Sequence, residues 1–153
     1  MDYEHTQTGP VALMVCAFFV LITVVTVILG DGEPLEWIVA GAVMLLTLLV
    51  VFAFNSLTVT IDSSRVMACF GWGWPKRVFE FTDITAIRTV RNRWWYGCGL
   101  RRVPNGVWMF NVWGLDAIEL ELSSGKKFRI GTDDCDGLNA ALARRMPLPT
   151  APG

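Results

Sequence analysis

Residues 37–62 read "WIVAGAVMLLTLLVVFAFNSLTVTID". Trp37 to Phe54 is a run of 18 residues without a charge. At ~1.5 Å rise per residue, a helix of that length spans about the hydrocarbon thickness of a bilayer. From Ser56 the pattern changes. Leu57, Val59 and Ile61 alternate with Ser56, Thr58 and Thr60, as in a strand with one buried face. Only Asn55 separates the two patterns. A residue reaches at most ~3.6 Å, so the first strand starts against whatever medium holds the helix.

Working outward, Val11 to Leu29 is a second uncharged run, of 19 residues, joined to the first by "GDGEPLE". A 153-residue soluble protein could not cover two such helices on every side. The runs therefore predict a transmembrane hairpin with helices at about 11–30 and 36–54. A cleaved signal peptide would carry a positive n-region, whereas Met1 to Pro10 holds Asp2, Glu4 and His5 with no Lys or Arg. Residues 1–10 read as a cytoplasmic tail. The connecting loop has Asp31, Glu33 and Glu36, while all 13 Lys and Arg follow Phe54. The positive-inside rule then keeps both termini in the cytoplasm and the acidic loop outside, in a bacterial inner membrane. Residues 55–153 carry +4 (13 bases, 9 acids), a mildly basic domain beside an anionic leaflet. The bases are too scattered for a nucleic-acid partner.

The later chain reads as short strands: "SLTVTID", "RVMACF", "RVFEF", "IRTVRNRWW", "LRRV", "VWMFNV", "AIELEL" and "KKFRIGT". "TDITAI" resembles a helical turn, and Asn105-Gly106 is a type I′ hairpin signal. Phe79 and Phe81 share a face, and Trp108 with Phe110 reads as interior. One helix closes the domain, capped by Thr132 or Asp133, with Cys135, Leu138, Leu142 and Met146 on a stripe. Pro147 ends it, and 147–153 is a flexible tail.

The sequence "GLRRVPNGVWMFNVWG", then "AIELELSSGKKFRIGTDD", then a closing helix resembles bacterial pleckstrin-homology-like domains of small two-pass membrane proteins. The resemblance covers about 55–146 and implies an α+β membrane protein: a hairpin at 11–54 and an antiparallel barrel of about seven strands capped by the helix. It implies no single activity. The inositide site of eukaryotic pleckstrin-homology domains uses a basic first hairpin. Here that turn is "DSSR", which argues against stereospecific inositide binding.

Little in the chain supports catalysis. The one histidine, His5, precedes the membrane runs, so no Ser-His-Asp or Cys-His site is available. Glu119 and Glu121 alternate outward and read as a solvated face opposite Lys127 and Arg129. Cys16, Cys69, Cys98 and Cys135 have no metal-ligand spacing. Cys98, between two glycines, reads as a loop thiol or a reactive one. No cofactor-binding pattern is present.

A meander returns to the membrane side at every second turn. That count puts Trp72, Trp74, Lys76, Trp94, Trp95, Tyr96 and Trp113 in near turns and leaves the far turns "DSSR", "TDITAI", "PNG" and "SSGK" without aromatics. The tryptophans therefore mark a membrane-facing rim. Arg101 and Arg102 follow it, set either to meet lipid phosphate or an acidic partner or to form a solvated strand. The expected function is a membrane-anchored, non-enzymatic interaction or scaffold module. Its partners would be the bilayer together with another membrane protein or a second copy. The alternative is a lipid- or small-molecule-binding barrel using the space between strands and closing helix. The charge asymmetry predicts that a reporter fused after Gly153 is active only in its cytoplasmic sense; periplasmic activity would reverse the orientation.

Overall fold

The computed structural model describes residues 3–31 and 33–146. It begins with a strand, β1 (Tyr3–Thr8), where the sequence reading expected a tail over 1–10. Two helices follow, α1 (Pro10–Leu29) and α2 (Pro34–Phe54), each opening on a proline whose missing N–H costs a helix start nothing. The chain then returns in β2 (Ser56–Ile61), which pairs antiparallel with β1 along its full length, from Tyr3 opposite Ile61 to Thr8 opposite Ser56. The Gly9 N–H donates to the Asn55 carbonyl at 3.2 Å and closes the base of the helical pair. The hairpin is thus an insertion between two neighbouring strands. Pairing hid β1 from sequence reading: "YEHTQT" has no apolar face, and its order comes from β2.

α2 is long and apolar enough to cross a membrane. Leu35, Ile38, Leu45, Leu49 and Phe52 are exposed on several of its sides, and α1 exposes Leu13, Phe18, Leu21 and Ile28 in the same way. Between the two helices Thr23 and Thr47 are buried. Thr47 Oγ1 donates to the Val43 carbonyl at 2.8 Å, so its hydroxyl is satisfied within its own helix.

Seven further strands follow: β3 (Arg65–Phe70), β4 (Lys76–Glu80), β5 (Ile84–Arg91), β6 (Gly99–Val103), β7 (Val107–Asn111), β8 (Asp116–Leu122) and β9 (Lys127–Gly131). They form two sheets, ordered β1-β2-β3-β4 and β5-β8-β9-β7-β6, and not the closed barrel of about seven strands that was expected. Nor is the second sheet a meander. The β8–β9 hairpin inserts between β5 and β7, so β9 runs parallel to β7. Between β6 and β7 a 3-10 turn spans Pro104–Gly106 in place of the type I′ link, with Gly106 at φ +76°. Another 3-10 turn, Phe81–Asp83, takes Phe81 out of the β4 strand, leaving it half-buried against the core instead of beside Phe79.

The sheets enclose Leu57, Val59, Phe79, Ile118, Leu120, Phe128 and Ile130, as their alternation predicted. Leu122 packs on the edge, half-buried. A chain of ring contacts runs inward from the end of α2: Phe54 to Phe70 at 5.4 Å, Phe70 to Phe110 at 4.8 Å, Phe110 to Phe128 at 5.1 Å and Phe128 to Phe79 at 4.8 Å. Phe110 is 1% exposed, but Trp108 is 41% exposed and not interior, although its backbone is flanked on both sides, by Arg102 of β6 and Phe128 of β9. The closing helix α3 (Cys135–Arg145) is capped by Asp134, one residue later than expected; its carboxylate accepts the Gly137 N–H at 2.9 Å. Thr132 Oγ1 in turn accepts the Asp134 N–H. Leu138, Ala141, Leu142 and Met146 are buried, and Cys135 is half-buried. Pro147 and the tail to residue 153 lie outside the described residues.

β1 also fixes how the second sheet lies against the first. Beyond the strand's hairpin end, a side chain at Gly9 would collide with Val112 and Trp113, which follow β7. Further along, Gln7 Nε2 donates to the Trp113 carbonyl at 2.6 Å. At the far end His5 lies 2.6 Å from Asp133, and the Tyr3 hydroxyl donates to Asp134 at 2.9 Å, both beyond β9. Strand β7 is therefore nearer the hairpin than β9. Leu120 lies at the centre of this packing with no exposed surface. Leu120→Ala should cost ~2–5 kcal/mol, read by urea unfolding of the detergent-solubilised protein; unchanged stability would mean the site collapses without loss.

Candidate functional site

The hairpin end of the two sheets gathers the aromatic turns. Residues 71–75 join β3 to β4 directly beside the end of α2. Gly71 donates its N–H to the Ser56 carbonyl at 3.0 Å. Its φ of +44° lets the turn close onto α2, where an added Cβ would stand 2.6 Å from the Ala53 carbonyl oxygen. Trp72 Nε1 donates to the Phe52 carbonyl at 3.2 Å, and its ring meets Phe52 edge-on at 5.2 Å. The indole therefore satisfies a helix C-terminal carbonyl while most of its ring stays out: Trp72 is 67% and Trp74 74% exposed. Lys76 opens β4 beside them, also exposed.

Trp113 sits at the base of α1, in contact range of Gly9. Trp94 joins it across a cavity of about 230 Å³, which Asn92, Cys98 and Asn111 also line. Trp94 and Trp95 pack edge-on at 5.7 Å, and the Arg93 guanidinium lies 5.0 Å from the Trp95 ring centre. Trp94 is 77% exposed. Tyr96 differs from its neighbours. It is half-buried on a small second cluster of Val103, Val107 and Met109 on the outer face of the five-stranded sheet. Arg101 and Arg102 are exposed on β6.

Turn alternation correctly grouped the 71–75 turn and residues 112–113 with the hairpin. The 123–126 turn is remote: Ser123 donates to the Asp83 carbonyl, and Phe81 to that of Ser64. Gly106 of the 104–106 turn lines one groove with Gly125 and Lys126 of that remote turn, the end at which the turn count placed both. Trp108, assigned to the core from sequence, is an exposed ring opposite Arg102 of β6 and lines a groove with it.

The outer face of the second sheet also departs from the solvated surface expected. Residues 92–98 cross over it, and Asn111 Nδ2 donates to the Gly97 carbonyl at 3.4 Å and the Gly114 carbonyl at 3.1 Å. Beneath this cover Glu119 is 7% exposed. Arg129 Nε donates to Glu119 at 2.7 Å and its Nη1 to Asn92 Oδ1 at 3.1 Å, so the buried charges are paired. Asn92 and Asn111 carried no motif that could have singled them out. Burial pushes the Cys98 thiol up from its ordinary value, with Arg101 partly opposing, so the thiol stays protonated at neutral pH. Among the described residues no three His, Cys, Asp or Glu side chains gather as a metal site.

No protein-family model matches the chain, and no curated protein sequence matches it significantly. The site's geometry stands on its own residues. Gly71→Ala tests the turn-to-helix contact against Gly125→Ala, whose φ of +75° is also positive but whose surroundings are open. Each should cost about 1–3 kcal/mol from backbone strain. The collision with Ala53 should make Gly71→Ala the more damaging in urea unfolding, with a shift in tryptophan emission; equal losses would mean the α2 contact yields freely.

Proposed function

We propose that this protein is a membrane-anchored, non-enzymatic interaction module of the bacterial pleckstrin-homology-like kind. A two-pass hairpin holds it at the cytoplasmic face of the inner membrane. The observation that carries the reading is the gathering of exposed Trp72, Trp74, Trp94 and Trp113 around the base of the helical pair. Indole rings combine an apolar body with an N–H that meets headgroups, and they are favoured where hydrocarbon gives way to water. Pairing of β1 with β2 supports an even number of crossings, because the strands before and after the hairpin lie in one sheet. The acidic loop and the bases after Phe54 support the cytoplasmic orientation.

The interior favours docking over ligand storage. Phe70, Phe110, Ile118, Leu120, Leu138 and Leu142 fill the space between the sheets and α3 with apolar side chains. The protonated Cys98 thiol supports a non-catalytic reading of that loop. Recognition then falls to the surface, with the bilayer as one partner and a membrane protein or second copy as the other.

Single-tryptophan variants in nanodiscs with lipid-depth quenchers test the reading. Trp72 and Trp94 should be quenched at the headgroup depth, and Ser124→Trp, on the remote turn, should not. Equal accessibility at all three would remove the membrane-facing rim and the proposal with it.

A further inference from the structure

The five-stranded sheet ends in β6, which pairs with β7 and with no other strand among the described residues. Its outer side carries backbone N–H and C=O groups free to pair, as any sheet edge does. Leu100, Arg101 and Arg102 are exposed along it. Register places Leu100 and Arg102 on one face and Arg101 on the other.

Each arginine is drawn back over a glycine at one end of the strand. Arg101 Nε donates to the Cys98 carbonyl at 3.0 Å, and its guanidinium lies against Gly97, at φ +69°. The Arg102 guanidinium lies against Gly106, at φ +76°. The edge between them is left clear, with a cation held at either end. Neither arginine has an acidic partner among the described residues. Beside Arg102 a groove of about 560 Å³ continues past Gly106 to Lys126 and Lys127. Lys127 is shared by Glu119 and Glu121 at 3.6 and 3.7 Å, while Lys126 has no carboxylate partner among the described residues. The unneutralised charge of this corner is positive.

We propose that β6 is the docking edge for an extended acidic segment of a partner protein, which adds to the sheet as a sixth strand and sets carboxylates against Arg101 and Arg102. Strand addition supplies affinity through the backbone and specificity through the side chains. A second copy is the poorer occupant. Antiparallel pairing of β6 with itself over its length puts arginine opposite arginine, which is destabilising. A lipid headgroup would meet the guanidinium groups and leave the strand's free backbone unpaired. By contrast β1, at the border of the other sheet, carries Glu4 and no lysine or arginine.

The test uses the full-length protein in zwitterionic nanodiscs and a fluorescein-labelled peptide of alternating glutamate and valine, with a lysine-valine peptide as control. The acidic peptide should bind, slow amide exchange at 99–103, and lose about tenfold or more in affinity to Arg101→Ala/Arg102→Ala. Both side chains are exposed, and near-ultraviolet circular dichroism checks that the variant keeps its fold. Arg101→Glu/Arg102→Glu should turn the preference to the lysine peptide. Undiminished binding by the alanine variant, or binding without protection of β6, would overturn the proposal. So would arginine-dependent capture of anionic-lipid vesicles with no peptide binding. None of these outcomes bears on the depth of Trp72 or Trp94, so the two proposals fail separately.

Discussion

The pairing of β1 with β2 organises this molecule. It joins residues that lie on either side of a 45-residue helical insertion, so its formation brings the two ends of α1 and α2 together at Gly9 and Asn55. Closing so long a loop costs entropy that six strand residues could not offset alone. The cost is shared with the helix–helix contact and with the side chains β1 offers to the second sheet. Gln7, His5 and Tyr3 engage Trp113, Asp133 and Asp134 in turn. The Gly137 N–H, then the Tyr3 hydroxyl, hold the Asp134 carboxyl below its usual range. One polar strand therefore connects the membrane-like helices, the second sheet and the cap of α3.

That strand also sets how the second sheet lies against the first, since the residues after β7 meet its hairpin end and those after β9 its far end. At the border of that sheet β6 offers unpaired amides and carbonyls as well as side chains. The aromatic chain from Phe54 through Phe70, Phe110 and Phe128 to Phe79 makes this arrangement rigid from the end of α2 to the far side of the core.

The covered outer face shows a different economy. An antiparallel sheet commonly leaves one face in water, and "AIELEL" against "KKFRIG" carries the alternation for that. Here the excursion from β5 to β6 must travel past three strands to reach its place. In doing so, residues 92–98 roof over Glu119 and Arg129. The pair is held at 2.7 Å with Asn92 closing on Arg129, so the charges exchange hydration for each other and for an amide. The topology that separates β5 from β6 is thus what turns a surface ion pair into a buried one.

Local pattern alone determined the two apolar helices, seven of the eight strands after them to within a few residues, the closing helix and most of the core. Each of these depends on a period that near neighbours express: continuous for α1 and α2, two for Leu57, Val59 and Ile61, and the helical stripe of Leu138 and Leu142. Several features were decided only by contacts distant in sequence. The strand character of Tyr3–Thr8 comes from β2, about fifty residues away. The burial of Glu119 depended on where residues 92–98 cross. The parallel placement of β9 beside β7 followed from strand order. A strand's period specifies which face is apolar, but it does not say which partner lies alongside; that choice is made by packing across the whole sheet.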